Sequence, residues 1–89
     1  MNNGKMNMTL ENSTEKTYTV SQDCYIQIAH FGSSSSIGNG GNLEIDHTYE
    51  FAVVGPGITI PILFPAKKGQ ILSWNDNACG YLWEIPLIK

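Results

Sequence analysis

The feature that most constrains this chain is a period-two alternation of side chains, clearest in residues 58–65. The even-numbered residues of this stretch are all apolar and share one face of an extended chain, as expected for a β-strand. Thr59, Pro61, Leu63 and Pro65 fall on the opposite face. Because proline donates no ladder hydrogen bond, the alternation predicts a strand at a sheet edge or at a bulge.

Similar short stretches recur along the chain, separated by residues that favour turns. They cover residues 17–20, 24–31, 42–46, 48–54, 58–65, 70–74 and 81–88. No segment has apolar residues at the three- and four-residue spacing of a helix. The pattern therefore predicts an all-β fold, an antiparallel β-sandwich or jelly roll of about seven to eight short strands.

The alternation starts only at Thr17. Residues 1–16 are polar and without periodicity, which is typical of a flexible N-terminal tail. An arm that docks on a larger assembly is the alternative interpretation. The predicted organisation is a tail over residues 1–16 and one β-domain over residues 17–89.

Charge argues against a nucleic-acid partner. The 89 residues carry a formal net charge of −3 and include no arginine. Binding to phosphates depends on clustered basic side chains, and arginine is the favoured reader of base edges.

No apolar run reaches the roughly 18 residues of a membrane span. The N-terminus also lacks the apolar core of a signal peptide. The chain is therefore expected to be made in a cytosol, whatever its final location.

The residue types that usually carry catalysis or bind metals are few and badly spaced. The two histidines, His30 and His47, have no neighbouring ligand pattern typical of zinc. Cys24 and Cys79 lack the spacing of a redox or metal motif and are expected to be free thiols, although a disulfide between them is left open. We predict no catalytic residue, no metal and no cofactor, and hence a binding protein.

An excess of apolar side chains indicates an interface. Apolar residues make up 42% of the chain, and a domain of this size has only a small core. The last strand is apolar on both faces, which predicts burial on both sides and contact with another subunit. The aromatic residues Tyr49, Trp74, Tyr81 and Trp83 are candidates for the same role. The predicted subunit interface consists of Tyr81, Leu82, Trp83, Ile85, Pro86 and Ile88.

Two polar segments are candidate contact loops. Residues 32–42 are rich in glycine, serine and asparagine, and residues 75–80 also interrupt the strand pattern. The residues predicted to contact a ligand are Ser33, Ser34, Ser35, Ser36, Asn39, Asn75, Asp76 and Asn77.

Three segments resemble small jelly-roll domains of phage and prophage fibre and virion-surface proteins. TYTVSQDCYIQI is similar to the opening strands of that family, IPILFPAKKGQILSW to its central segment and LWEIPLIK to its terminal strand. Cys24 stands where the family often has glycine. The resemblance implies a fold like that of tumour necrosis factor, a homotrimer with the last strand near the three-fold axis, and a virion-associated protein made in the host cytoplasm.

The resemblance also implies a function. The first hypothesis is a structural and adhesion module at a fibre tip or on the capsid surface, which binds other virion proteins or a host cell-surface ligand. The alternative is a small phage-encoded oligomer that inhibits host defence by sequestering a host protein or a small signalling molecule.

Overall fold

The structure, a computed structural model, describes residues 5–35 and 40–87, except for the side chains of Lys5, Met6 and Tyr49. Eight β-strands account for most of it. They are β1 (Lys5–Thr9), β2 (Thr17–Thr19), β3 (Cys24–Ser33), β4 (Gly41–Ile45), β5 (Tyr49–Val54), β6 (Thr59–Ala66), β7 (Ile71–Trp74) and β8 (Ala78–Pro86). A single 3-10 turn, Leu10–Asn12, follows β1. Among the described residues there is no helix of the length and apolarity needed to cross a membrane.

The strands form two antiparallel sheets of four. Sheet I has the order β1-β8-β3-β6, and sheet II has the order β2-β7-β4-β5. The first strand pairs with the last, the second with the seventh, the third with the sixth and the fourth with the fifth. This nested pairing is the strand order of a jelly roll. It confirms the predicted all-β sandwich.

The prediction of a flexible tail is wrong for the described part of the N-terminus. Lys5–Thr9 forms β1, which pairs with β8 and becomes an edge of sheet I. Leu10 is fully buried in the core, and its carbonyl oxygen accepts a hydrogen bond from Trp74 Nε1 at 3.2 Å. Met6, Met8 and Leu10 alternate with polar residues, so a period-two signal was present, but the polar composition of the surrounding residues outweighed it. Residues 1–4 lie outside the described part.

The alternation predicted for residues 58–65 is confirmed. Ile62 and Phe64 are buried between the sheets, whereas Leu63 on the opposite face is 61% exposed. The strand also lies at an edge of sheet I, as its prolines predicted. By contrast, β8 begins at Ala78 and not at Tyr81, so half of the predicted loop at residues 75–80 belongs to this strand.

A paired irregularity bends the middle of sheet I. Strand β3 carries one extra residue between Ala29 and Gly32 relative to β8, and His30 there adopts φ 59°. On β8, Gly80 adopts φ 137°, and a Cβ atom at this position would lie 2.8 Å from Ile28 Cγ2. Only glycine fits such a site. The bulge directs the two strands toward the loops at one end of the sandwich.

Candidate interaction surface

The outer face of sheet I is apolar. In its two central cross-strand rows, Pro65, Tyr25 and Ile85 lie side by side, and so do Leu63, Gln27 and Trp83. Tyr81 follows in the next row, opposite Ala29. The surface that we call the apolar face consists of Tyr25, Leu63, Pro65, Tyr81, Trp83 and Ile85. All six are uncharged, and Gln27 is the polar residue between them.

Several of these side chains are open to solvent. Leu63 is 61% exposed, Tyr81 45% and Tyr25 42%, and Leu87 beyond the end of β8 is 43% exposed. Trp83 and Ile85 are half-buried. A sandwich normally presents polar residues on its outer surfaces. A contiguous apolar surface of this kind is a candidate site of interaction.

The outer face of sheet II shows what a solvated face of the same domain looks like. Asn42, Glu44 and Ser73 lie there in adjacent rows of β4 and β7. Thr17 and Thr19 continue this surface on β2, and Glu50 on β5 lies directly opposite Glu44. Val53 on β5 and Ile71 on β7 are apolar residues of this outer face, so it is mixed, whereas the apolar face of sheet I has Gln27 as its polar residue.

The structure divides the predicted interface residues between two sides of β8. Tyr81, Trp83 and Ile85 lie on the apolar face. The prediction is wrong for Leu82, which is fully buried in the core of its own chain. Pro86 pairs with the buried Cys24 and is half-buried on the same inner side. Ile88 and the side chain of Tyr49 lie outside the described residues, and Trp74 belongs to the core.

The two candidate loops meet at one end of the sandwich. The backbone N–H of Ser34 donates to the carbonyl oxygen of Asn77 at 2.8 Å, and Ser34 Oγ lies 3.1 Å from the same oxygen. Asn75 holds the other side of this junction, because it accepts from Asn42 N at 3.1 Å and donates to Gly40 O at 2.7 Å. Ser34 and Asp76 are exposed, whereas Ser35, Asn75 and Asn77 are half-buried.

Ser33 is misplaced by the loop prediction. It is the last residue of β3, only 5% exposed, and its hydroxyl bonds to the backbone of Ser35. Because Ser33 stands in a run of four serines, the composition indicated a loop and not the end of a strand. Ser36 and Asn39 lie outside the described residues.

A buried carboxylate on the inner side of β8 was missed by the sequence analysis. Glu84 is 5% exposed, and its two oxygens accept four hydrogen bonds from neutral donors. Tyr18 Oη and Ser21 N lie 2.5 and 2.8 Å from Oε2. Ser21 Oγ and Gln22 Nε2 lie 2.5 and 3.1 Å from Oε1. Glu84 therefore fastens β2 and the turn after it to sheet I.

The even-numbered position of Glu84 in β8 was the sequence feature that indicated its burial. Glu84 shares the inner face of β8 with Leu82 and Pro86, so a strand assignment already places its side chain toward the core. A charge at such a position requires hydrogen-bonding partners. The residues that provide them, Tyr18, Ser21 and Gln22, lie more than 60 positions away and could not be paired with it from the pattern.

The environment of this carboxylate shifts two acid–base equilibria. Burial raises the pKa of Glu84, but the hydrogen bonds from Ser21, Tyr18 and Gln22 outweigh it and hold the pKa below its ordinary value. Burial raises the pKa of Tyr18 to about 12, and the hydrogen bond to Glu84 adds to the rise.

These shifts predict a loss of stability at both extremes of pH. Because unfolded Glu84 takes up its proton first, the free energy of unfolding should fall as the pH drops below about 4.5. Because unfolded Tyr18 loses its proton first, it should also fall as the pH rises from about 10 toward 12. Urea unfolding at a series of pH values tests this. Glu84→Gln should flatten the acid limb, and an acid limb as steep as that of the wild type would contradict the assignment.

Both cysteine thiols have raised pKa values. Burial raises the pKa of the Cys24 thiol to about 11, with the carboxylates of Glu84 and Asp23 adding to it. Burial also raises the pKa of Cys79, whose Sγ lies 4.0 Å from the backbone oxygen of His30. Both cysteines are free. No group of three or more His, Cys, Asp or Glu side chains within residues 5–35 and 40–87 is placed to hold a metal ion.

A second apolar surface lies where sheets I and II leave an opening between β5 and β6. We call it the groove, and it is lined by Phe51, Val53, Ile60, Pro61 and Leu63. Val53 is 65% exposed and Ile60 38%. Phe51 is the extra residue of a bulge in β5, and its ring packs against that of the buried Phe64 at a centroid distance of 4.5 Å. The groove adjoins the apolar face at Leu63.

Comparison of the chain with models of protein families, with curated proteins and with solved structures gave no match.

Proposed function

We propose that this chain is a self-assembling binding module, a homotrimeric jelly-roll subunit that acts in assembly and adhesion at a fibre tip or on the capsid surface of a phage. The observation that carries the assembly part is the apolar face of sheet I. The viral part is supported by the resemblance of three segments to phage fibre and virion-surface domains, and it is a proposal of its own.

Burial of the apolar face is a sufficient driving force for association. Each square ångström of apolar surface removed from water contributes about 25 cal/mol. Aromatic rings dominate interface energies, and Tyr25, Tyr81 and Trp83 all lie on this face. Its uncharged composition also means that contact with a second copy leaves no charge to be desolvated.

The loops at one end of the sandwich are the proposed adhesion surface. Ser34 and Asp76 are exposed there, on a junction that Asn75 and Asn77 hold in place through backbone contacts. A rigid junction that presents small polar groups suits hydrogen bonding to a polar ligand. Since Ser34 and Asp76 lie in the loops and not on the strands of sheet I, assembly through the apolar face leaves these two residues accessible to a ligand.

A non-enzymatic role is part of the proposal. The pKa values of both thiols are raised, which leaves them protonated near neutral pH and poorly nucleophilic. The oxygens of Glu84 are each occupied by two donors, so this carboxylate holds the fold together and is not available as a base.

Tyr81→Lys tests the assembly part. A lysine on the apolar face would have to be desolvated on association, so the variant should be a monomer at concentrations where the wild type is a trimer. Sedimentation velocity at matched concentrations gives the result. Thr19→Lys, on the exposed outer face of sheet II, is the matched control and should leave the mass unchanged. Equal masses for the wild type and Tyr81→Lys would contradict the proposal.

The viral part has its own test. The protein should be detected in purified virions by mass spectrometry, in an amount comparable with other minor structural proteins. If it is absent from virions but is produced in infected cells, the structural role is wrong and an inhibitor of host defence becomes the better hypothesis.

A further inference from the structure

Strand β6 is the longest edge strand of the domain, with eight residues, and it is strongly apolar. One side of this strand pairs with β3, and the other side has no neighbouring strand in its sheet. Exposed Leu63 lies on it, and Phe51 and Val53 lie beside it in the groove. A long and apolar free edge is a template for adding a strand from a second copy.

The direction of the backbone groups along β6 follows from one hydrogen bond. Ser33 N donates to Ile58 O at 3.1 Å, so the carbonyl oxygen of residue 58 points toward β3, whereas its N–H donates to Gly55 O in the preceding turn. In an antiparallel pair the backbone groups of successive residues point alternately toward and away from the partner strand. The irregularity in this pair adds its extra residue to β3, so the alternation along β6 is unbroken.

Even-numbered residues of β6 therefore bond to β3, and odd-numbered residues face the free edge. The odd positions are Thr59, Pro61, Leu63 and Pro65. Two of these four residues are prolines and have no N–H group. The free edge consequently presents donors only at Thr59 and Leu63, so an added strand would find every second donor missing in the stretch from 59 to 65.

We infer that Pro61 and Pro65 cap the free edge of β6, so that copies of this chain cannot add to one another through this strand. Association of copies at β6 is then restricted to side-chain packing. An edge that accepts strands would instead give a contact that repeats without closing. The inference goes beyond the proposed self-assembly and stands on the backbone of β6, so it holds for a monomer as well.

The double variant Pro61→Val, Pro65→Val restores both donors with a residue that favours strands. We expect it to form open-ended polymers whose weight-average mass exceeds that of the wild-type assembly by on the order of ten-fold and grows with time. Light scattering and thioflavin fluorescence at equal protein concentration measure this. Tryptophan fluorescence confirms that the starting material is folded.

The matched control is Thr59→Val. It places a valine on the same edge but leaves its number of N–H donors unchanged, and it should keep the wild-type mass. The single variants Pro61→Val and Pro65→Val should show slower growth, which gives a test if the double variant does not fold. Wild-type mass for folded proline variants would overturn the inference. Polymer growth by the control at the same rate would overturn it as well, because apolar character alone would then be the cause.

These results separate the inference from the proposed function. A monomeric wild type would contradict self-assembly through the apolar face but leaves the edge experiment intact. A proline variant that keeps the mass of a wild-type trimer contradicts the edge inference alone.

Discussion

Leu10→Ala is expected to lower the free energy of unfolding by about 3–4 kcal/mol. Leu10 is fully buried although it lies in a largely polar segment. Its side chain fills the core, and the turn that it begins connects sheet I to sheet II. Truncation to alanine removes the packed methyl groups and leaves a cavity beneath Trp74, whose indole donates to the Leu10 carbonyl oxygen.

Urea or thermal unfolding followed by tryptophan fluorescence measures this change. Asn12→Ala is the control, since Asn12 is exposed at the end of the same turn and its replacement should change stability by no more than about 0.5 kcal/mol. A loss of that small size for Leu10→Ala would mean that the N-terminal segment does not dock, and that residues 1–16 behave as the tail expected from composition.

Glu84→Ala is expected to cost about 3 kcal/mol, the second large effect. Hydrogen bonds to a charged group contribute roughly 1.5–3 kcal/mol each, but exposed donors such as Ser21 recover part of this by bonding to water. Removal of the carboxylate also frees the turn after β2, which Ser21 and Gln22 anchor to β8.

Glu84→Gln separates charge from shape. The amide keeps one acceptor oxygen but turns an NH₂ group toward two donors, so it should retain only part of the stability, with a loss of about 1–2 kcal/mol. Glu50→Ala, an exposed acid opposite Glu44, should be neutral or slightly stabilising because it removes a like-charge pair. A loss at Glu84 no larger than that at Glu50 would contradict the account of the buried carboxylate.

The fold could be predicted from the sequence wherever a strand has one buried face. Period-two alternation located seven of the eight strands, and the prolines of residues 58–65 placed that strand at an edge. Strand β1 was not predicted because its alternating Met6 and Met8 stand among polar residues, and an irregularity shifts the register between them. The start of β8 was not predicted because Asn75 and Gly80 are residue types typical of loops, although Gly80 lies in the strand opposite a bulge.

The candidate surface could be predicted only in part, for a related reason. That β8 carries apolar residues on both faces is visible in the sequence, and Tyr81, Trp83 and Ile85 follow from it. The neighbours that complete the face, Tyr25 and Leu63, come from strands 20 to 60 residues away and depend on the pairing of β3 with β6 and β8. Leu82 was assigned to the interface because periodicity does not say which apolar face is the core.

The molecular mass of the wild-type chain in solution tests the central claim most directly. Static light scattering across a concentration series should give three times the subunit mass, with dissociation only on dilution. Burial of the apolar face is the expected cause of association, and the resemblance to trimeric jelly-roll domains implies the number of copies. A mass equal to that of one subunit at every concentration up to tens of micromolar would contradict the proposal that this face joins copies of the chain.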